Sequence, residues 1–144
     1  MHIKSPNPTQ LELLQQLLQR YDLPYQDLTP TQLSDFLLAW DGPRLAGAGG
    51  LEIYTENALL RSLVVDQGYR NHGLGAHLVH RLEEHACLCG VRRVYLLTTT
   101  AERFFTALGY KRTVRKAAPT ALQATAEFRS LCPDTAVCMT RSLI

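Results

Sequence analysis

The stretch Val64-Val65-Asp66-Gln67-Gly68-Tyr69-Arg70-Asn71-His72-Gly73-Leu74-Gly75-Ala76-His77-Leu78-Val79 decides how this chain is read. An apolar strand ends, Arg-x-x-Gly-x-Gly follows, and an amphipathic helix begins at once. Such a turn leaves backbone N–H groups unpaired at the positive end of a helix dipole, an arrangement suited to a pyrophosphate. Arg70 adds a planar donor for phosphate oxygens. A phosphate-bearing ligand is the first expectation.

Spacing separates the known phosphate loops. A Walker loop ends in Gly-Lys-Ser/Thr, which is absent. The dinucleotide fingerprint needs a third glycine where this chain has Leu78. Val-Val-x-x-x-x-Arg-x-x-Gly-x-Gly instead resembles motif A of the GNAT N-acetyltransferases. That resemblance implies acetyl-CoA as co-substrate, bound through Arg70, Asn71, His72, Gly73, Leu74, Gly75 and Ala76. The bland alternative is a helix N-terminus with a surface arginine.

The chain has 144 residues, 46% hydrophobic and 19% charged, which is enough for one domain with a continuous core. A net charge of +2 without a basic stripe argues against a nucleic-acid partner. No apolar run approaches the roughly 20 residues of a membrane span, and no apolar signal region follows the N-terminus. A cytoplasmic protein is expected. Cys87 and Cys89 lie on one helix roughly 200° apart, so they cannot share an ion. Neither cysteine pair has Cys-x-x-Cys spacing, and no His cluster is evident. No metal site is expected, and the four cysteines read as small buried hydrophobes.

Periodicity predicts a helix over 8–20, a short helix near Thr31, and strands over Phe36–Trp40, Arg44–Ile53 and Ala58–Val65. Gly47, Gly49 and Gly50 mark a bulge or a close approach of backbone or ligand. A helix at 74–89 carries Leu74, Leu78, Leu82 and Cys89 on one stripe, with Glu83 off it. Strand Val91–Thr98, helix 101–108, strand Lys111–Val114, a helical stretch over Ala117–Phe128 and strand Ala136–Thr140 complete the chain. The resulting class is α/β (α+β): a mixed sheet of six or seven strands with helices on both faces. A meander leading into the phosphate loop matches the GNAT fold and disagrees with a Rossmann unit.

The resemblance also assigns roles. Backbone groups of Leu63, Val64 and Val65 would face the pantetheine and thioester. The Tyr that protonates the thiolate in many relatives falls, counted back from Gly109, at Phe105. Phe105 then only lines the coenzyme cleft, and either Ser62 or water replaces the acid or the thiolate leaves unprotonated. Glu52 is the first choice of base, with Glu127 and Glu102 in reserve; a solvated strand end is the other reading of Glu52. Arg61 sits in a strand buried on both faces, where an unpaired charge costs several kcal/mol. It faces either a protein carboxylate such as Glu52 or the carboxylate of an amino-acid acceptor. Tyr21, Tyr25, Gln26 and Asp27 border the acceptor region but read as loop chemistry.

Tyr95-Leu96-Leu97-Thr98-Thr99-Thr100 with Phe104-Phe105 and Leu108-Gly109-Tyr110 is similar to the acetyltransferase domain of N-acetylglutamate synthases. Leu59-Leu60-Arg61-Ser62-Leu63, the threonine run and the 124–139 segment resemble a group of short acetyltransferases found beside arsenic-resistance genes. This likeness implies N-acetylation of a small primary amine, an α-amino acid or a toxic analogue. Thr98, Thr99, Glu127 and Arg129 would then contact the acceptor, or else serve as helix cap and surface charge. A homodimer is common in the family, though no interface is legible here. Two rivals remain: a non-catalytic acetyl-CoA or amino-acid sensor, and a peptide acetyltransferase.

Overall fold

A computed structural model describes residues 1–144. Strands β1 (His2–Lys4), β2 (Phe36–Asp41), β3 (Arg44–Tyr54), β4 (Asn57–Val65), β5 (Arg93–Thr98), β6 (Lys111–Thr113) and β7 (Val137–Ser142) form one sheet. Its order is β1-β2-β3-β4-β5-β7-β6. All pairs are antiparallel except β4–β5, whose parallel crossover is made by helix α2 (Leu74–Leu88). The remaining helices are α1 (Leu11–Arg20), α3 (Glu102–Ala107) and α4 (Thr120–Gln123). Strand β1 is too short and polar to show a period, and it adds an edge that the sequence pattern does not reveal.

Alternation along β4 assigns the layers. Leu60 packs with Leu82 and Ala86 of α2 and with Phe105 of α3. Its neighbour Leu59 packs on the opposite face with Ala118, Leu122 and Phe128. Leu14, Leu17 and Leu18 of α1 bury against Phe36, Leu38 and Val64. Full burial of a side chain such as Leu78 or Leu82 contributes about 2 kcal/mol.

A bulge interrupts β4. Gly50 pairs with Arg61 and Ala48 with Val64, so Gly49 alone opposes Ser62 and Leu63. Ser62 absorbs the extra residue with φ +59°, a left-handed conformation uncommon for serine. Because of that insertion Arg61 and Val64 face the same side, although a regular strand would place them on opposite sides. The glycines of β3 answer close packing within the protein rather than a ligand. A Cβ on Gly50 would lie 2.4 Å from the Phe36 ring.

Several expectations are corrected. Cys87 and Cys89 are exposed and Cys132 is half-buried, so only Cys138 behaves as a small core hydrophobe. Val79 and Ala86 take the place on the buried stripe of α2 that Cys89 was expected to fill. Glu83 is itself buried, because Tyr110 donates to it at 2.8 Å and Arg141 at 2.7 Å. The stretch 117–128 is not one helix. It divides into a 3-10 turn at Arg115–Ala117, the short α4, and a π-helical turn over Glu127–Leu131. No helix is long and apolar enough to cross a membrane.

Candidate active site

The β4–β5 ladder ends at Leu59↔Tyr95, although β4 continues to Val65 and β5 to Thr98. The two parallel strands therefore diverge, and β4 from Leu60 onward has no ladder partner on that edge. A cavity of about 170 Å³ occupies the cleft. Arg61, Ser62 and Leu63 line it from β4, Thr98 and Thr99 from the end of β5, Phe105 from α3, and Glu127 and Cys132 from the π-helical region. The bulge at Ser62 turns the backbone of β4 at the mouth of this cleft.

Beyond β4 the chain makes the loop that leads into α2. Asp66 caps the turn by accepting from Gln67 N at 3.0 Å, and the Tyr21 hydroxyl donates to Asp66. That hydroxyl bond, with smaller help from Arg20, holds the Asp66 carboxyl below its ordinary range. Arg70 stacks on the Tyr21 ring at 4.8 Å, and its Nε donates to Val65 O at 3.0 Å. The residue as a whole is exposed.

Asn71 and Gly73 both adopt positive φ, at +68° and +80°. The N–H groups of Asn71, His72, Gly73, Leu74, Gly75 and Ala76 make no hydrogen bond within the chain. The first α2 bond across the turn is His77 N to Gly73 O, at 3.0 Å. Unpaired donors at the start of a fifteen-residue helix are an arrangement chemically suited to an anion. Gly73 has open space where a Cβ would stand, whereas a Cβ on Gly75 would press on the Phe104 ring at 3.3 Å.

An ion cluster is built into the cavity wall at Arg61 and Glu127 and extends behind it to Asp27 and Glu52. The Arg61 side chain is fully buried. It holds Asp27 in a bidentate pair, donates from Nη1 to Glu52 at 2.8 Å, and places Nε 3.1 Å from Ser62 Oγ and 3.3 Å from Glu127. Of the alternatives for Arg61, the structure shows the protein-carboxylate partner. Contrary to the expectation of an Arg61 that holds an acceptor carboxylate, too few of its donors remain for a second bidentate pair. Asp27, read from sequence as loop chemistry, is its best-aligned partner. No spacing signal marked it, because the contact bridges a loop and a strand far apart in sequence.

Glu52 is tied on both oxygens, accepting from Tyr54 at 2.6 Å and from Arg61. It does not line the cavity. Glu127 does, and it is 3% exposed. Burial pushes its carboxyl up to about 7; the Arg61 charge opposes this, and Asp27 and Glu52 add to it. Cys132 sits 3.7 Å from Glu127, and its thiol is pushed up to about 12, chiefly by burial.

Other expected residues fall elsewhere. Glu102 is held on the surface by Arg112. Arg129 is exposed and outside the cavity wall. Thr98 Oγ1 accepts from Ala101 N at 3.0 Å, so it caps the turn into α3 while also lining the cleft. Phe105 packs edge-on against Phe104 and Tyr110. Tyr110 cannot replace the missing hydroxyl: it is buried on Glu83, and that burial and contact raise its pKa.

The geometry has counterparts among known proteins. Residues 5–110 match the acetyltransferase (GNAT) family model. Rv2747 from Mycobacterium tuberculosis, solved with CoA, superposes with a TM-score of 0.82 at 18% identity over all of both chains. The N-acetylglutamate synthase of Neisseria gonorrhoeae, complexed with coenzyme A and N-acetyl-glutamate, gives 0.86 at 16% identity; 99% of this chain covers 35% of that one. An aminoglycoside 6'-N-acetyltransferase complexed with coenzyme A gives 0.72 at 21% identity over 100% and 98% of the two chains. No curated protein sequence matches significantly. At these identities the superpositions speak for the fold, and the family match covers well over half of the chain: the protein belongs to the GNAT acetyltransferase family.

Proposed function

We propose that this protein is an acetyl-CoA-dependent N-acetyltransferase acting on a small primary amine, with an α-amino acid or amino-acid analogue as acceptor. The observation that carries the reading is the run of unpaired N–H groups from Asn71 to Ala76, opening onto a cleft between diverging strands. Those donors and Arg70 would hold the diphosphate. The free edge of β4 would pair with the pantetheine arm, as an added strand does.

The thioester supplies an activated acetyl group. Backbone N–H groups on the free edge around Leu63, Val64 and Val65 would stabilise its oxygen as charge develops there. Glu127, rather than Glu52, is the proposed base, because it lines the cavity and its carboxyl exchanges its proton near neutral pH. It takes a proton from the acceptor ammonium. The freed amine forms the C–N bond to the acetyl carbon, and the C–S bond breaks. Ser62, whose Oγ accepts from Arg61 Nε and so keeps its own proton to give, or water would protonate the departing thiolate. Thr98 and Thr99 would offer hydroxyls to the acceptor.

One observation favours a second acceptor class. Arg61 is the only cationic side chain on the cavity wall, and three carboxylates already engage it. An acceptor with several amines and no carboxylate, such as a polyamine or aminoglycoside, suits that charge better. A thiol-release screen decides the matter. The panel holds amino acids, glutamate and its phosphorus and arsenic analogues (prompted by the arsenic-resistance resemblance), diamines and aminoglycosides. Turnover of amino acids supports the first reading, and turnover confined to polycationic amines supports the second. Tight acetyl-CoA binding without turnover on any acceptor would refute both in favour of a sensor.

A further inference from the structure

A second cluster lies away from the cleft, on the helix end where no His cluster was expected to accompany the cysteines. His85 and Cys89 are one turn apart at the C-terminal end of α2, so both side chains leave the same helical face. Asp35, at the end of the 3-10 turn Pro30–Asp35, meets them from the start of β2. His85 Nε2 stands 2.9 Å from Asp35 Oδ1 and 3.8 Å from Cys89 Sγ, and all three donor atoms lie within 4.8 Å of one another. A pocket of about 320 Å³, bordered by Ser34, Asp35, Glu84 and His85, opens beside them.

We propose that Asp35, His85 and Cys89 bind a borderline-soft divalent cation, Zn²⁺ foremost, with a fourth position open to the pocket. Imidazole, thiolate and carboxylate are the three side-chain ligands of zinc, and three protein ligands plus one exchangeable site is a recurring zinc arrangement. Tetrahedral bond lengths would separate neighbouring donors by roughly 3.3–3.6 Å. The observed 2.9 and 3.8 Å lie within about half an ångström of that range, and the Asp35–Cys89 separation, at most 4.8 Å, would close by up to roughly 1 Å through rotation of the exposed cysteine side chain.

The His85–Asp35 hydrogen bond by itself leaves the exposed Cys89 sulfur to solvent. A cation satisfies all three lone pairs at once. Coordination forms one bond each to nitrogen, oxygen and sulfur and releases the Cys89 thiol proton to solvent, with no redox change. It would clamp the Pro30–Asp35 turn to the end of α2, so the ion stabilises the folded chain by mass action.

The test uses the full-length, tag-free, reduced protein, with Co²⁺ as spectroscopic probe and Zn²⁺ as competitor. Expected are one Co²⁺ per chain, intense tetrahedral d–d bands, a thiolate charge-transfer band, and displacement by Zn²⁺. Removing even an outer partner of a metal site weakens binding about 10–100-fold, so Cys89→Ser and His85→Ala should each weaken Zn²⁺ at least that much. Cys89→Ser should also lose the charge-transfer band and the Zn²⁺-dependent rise in Tm. Cys87→Ser, on a different helical face, should leave all of these unchanged. Should His85→Ala fail to fold, the exposed Cys89→Ser carries the test. Absence of binding, an octahedral spectrum without a thiolate band, or equal losses in Cys87→Ser and Cys89→Ser would overturn the proposal.

Discussion

Replacing Glu127 with Gln separates its chemical from its structural contribution. The carboxyl sits at about 7 instead of its ordinary 4.5, chiefly because burial disfavours the charged form. That displacement corresponds to about 3 kcal/mol between protonation states. Between these two pH values the native chain keeps a proton that the unfolded chain has lost. Stability therefore falls as pH rises through this window, and the full penalty is present above it. Glu127→Gln has no such titration. Urea unfolding at a series of pH values should show the variant gaining on the wild type by about 3 kcal/mol between pH 4.5 and 8. In steady-state assays the wild-type kcat/KM should climb with pH and level off above about 7. The variant should lose this inflection and about 10²- to 10⁴-fold in rate, the usual worth of a positioned base. Parallel stability curves for the two proteins would refute the buried-carboxyl argument. An unchanged inflection in the variant would move the base elsewhere.

Two further substitutions probe the phosphate loop and the ion cluster. Gly73→Glu has room for its side chain but sits at φ +80°, which costs about 1–2 kcal/mol for any L side chain. A carboxylate about 5 Å from a bound diphosphate adds roughly 3 kcal/mol at an effective dielectric of 20, so acetyl-CoA should bind on the order of 100-fold more weakly by calorimetry. Retained affinity would remove the diphosphate from this loop. Arg61→Ala leaves Asp27, Glu52 and Glu127 without their shared cation and should destabilise the chain by roughly 3–5 kcal/mol in denaturant unfolding. A loss under 1 kcal/mol would show that the cluster is not held together by this charge.

What the amino-acid sequence determined by itself is local. The glycine turn over Arg70–Ala76, the meander leading into it and the leucine stripes of α1 and α2 were legible because turns and periodic faces are written in neighbouring residues. The absent hydroxyl at Phe105 was equally plain. Contacts between distant segments decided the rest. Asp27 pairs with Arg61, Glu83 lies buried on Tyr110 and Arg141, and Asp35 meets His85, all across loops whose closure no spacing encodes. The preference for Glu127 over Glu52 is tertiary as well. Both are acidic residues in ordinary local contexts, and only the packed chain removes water from one while binding both oxygens of the other. Periodicity reports which face of an element is apolar; the partner that an ionised side chain finds there depends on where the whole chain closes.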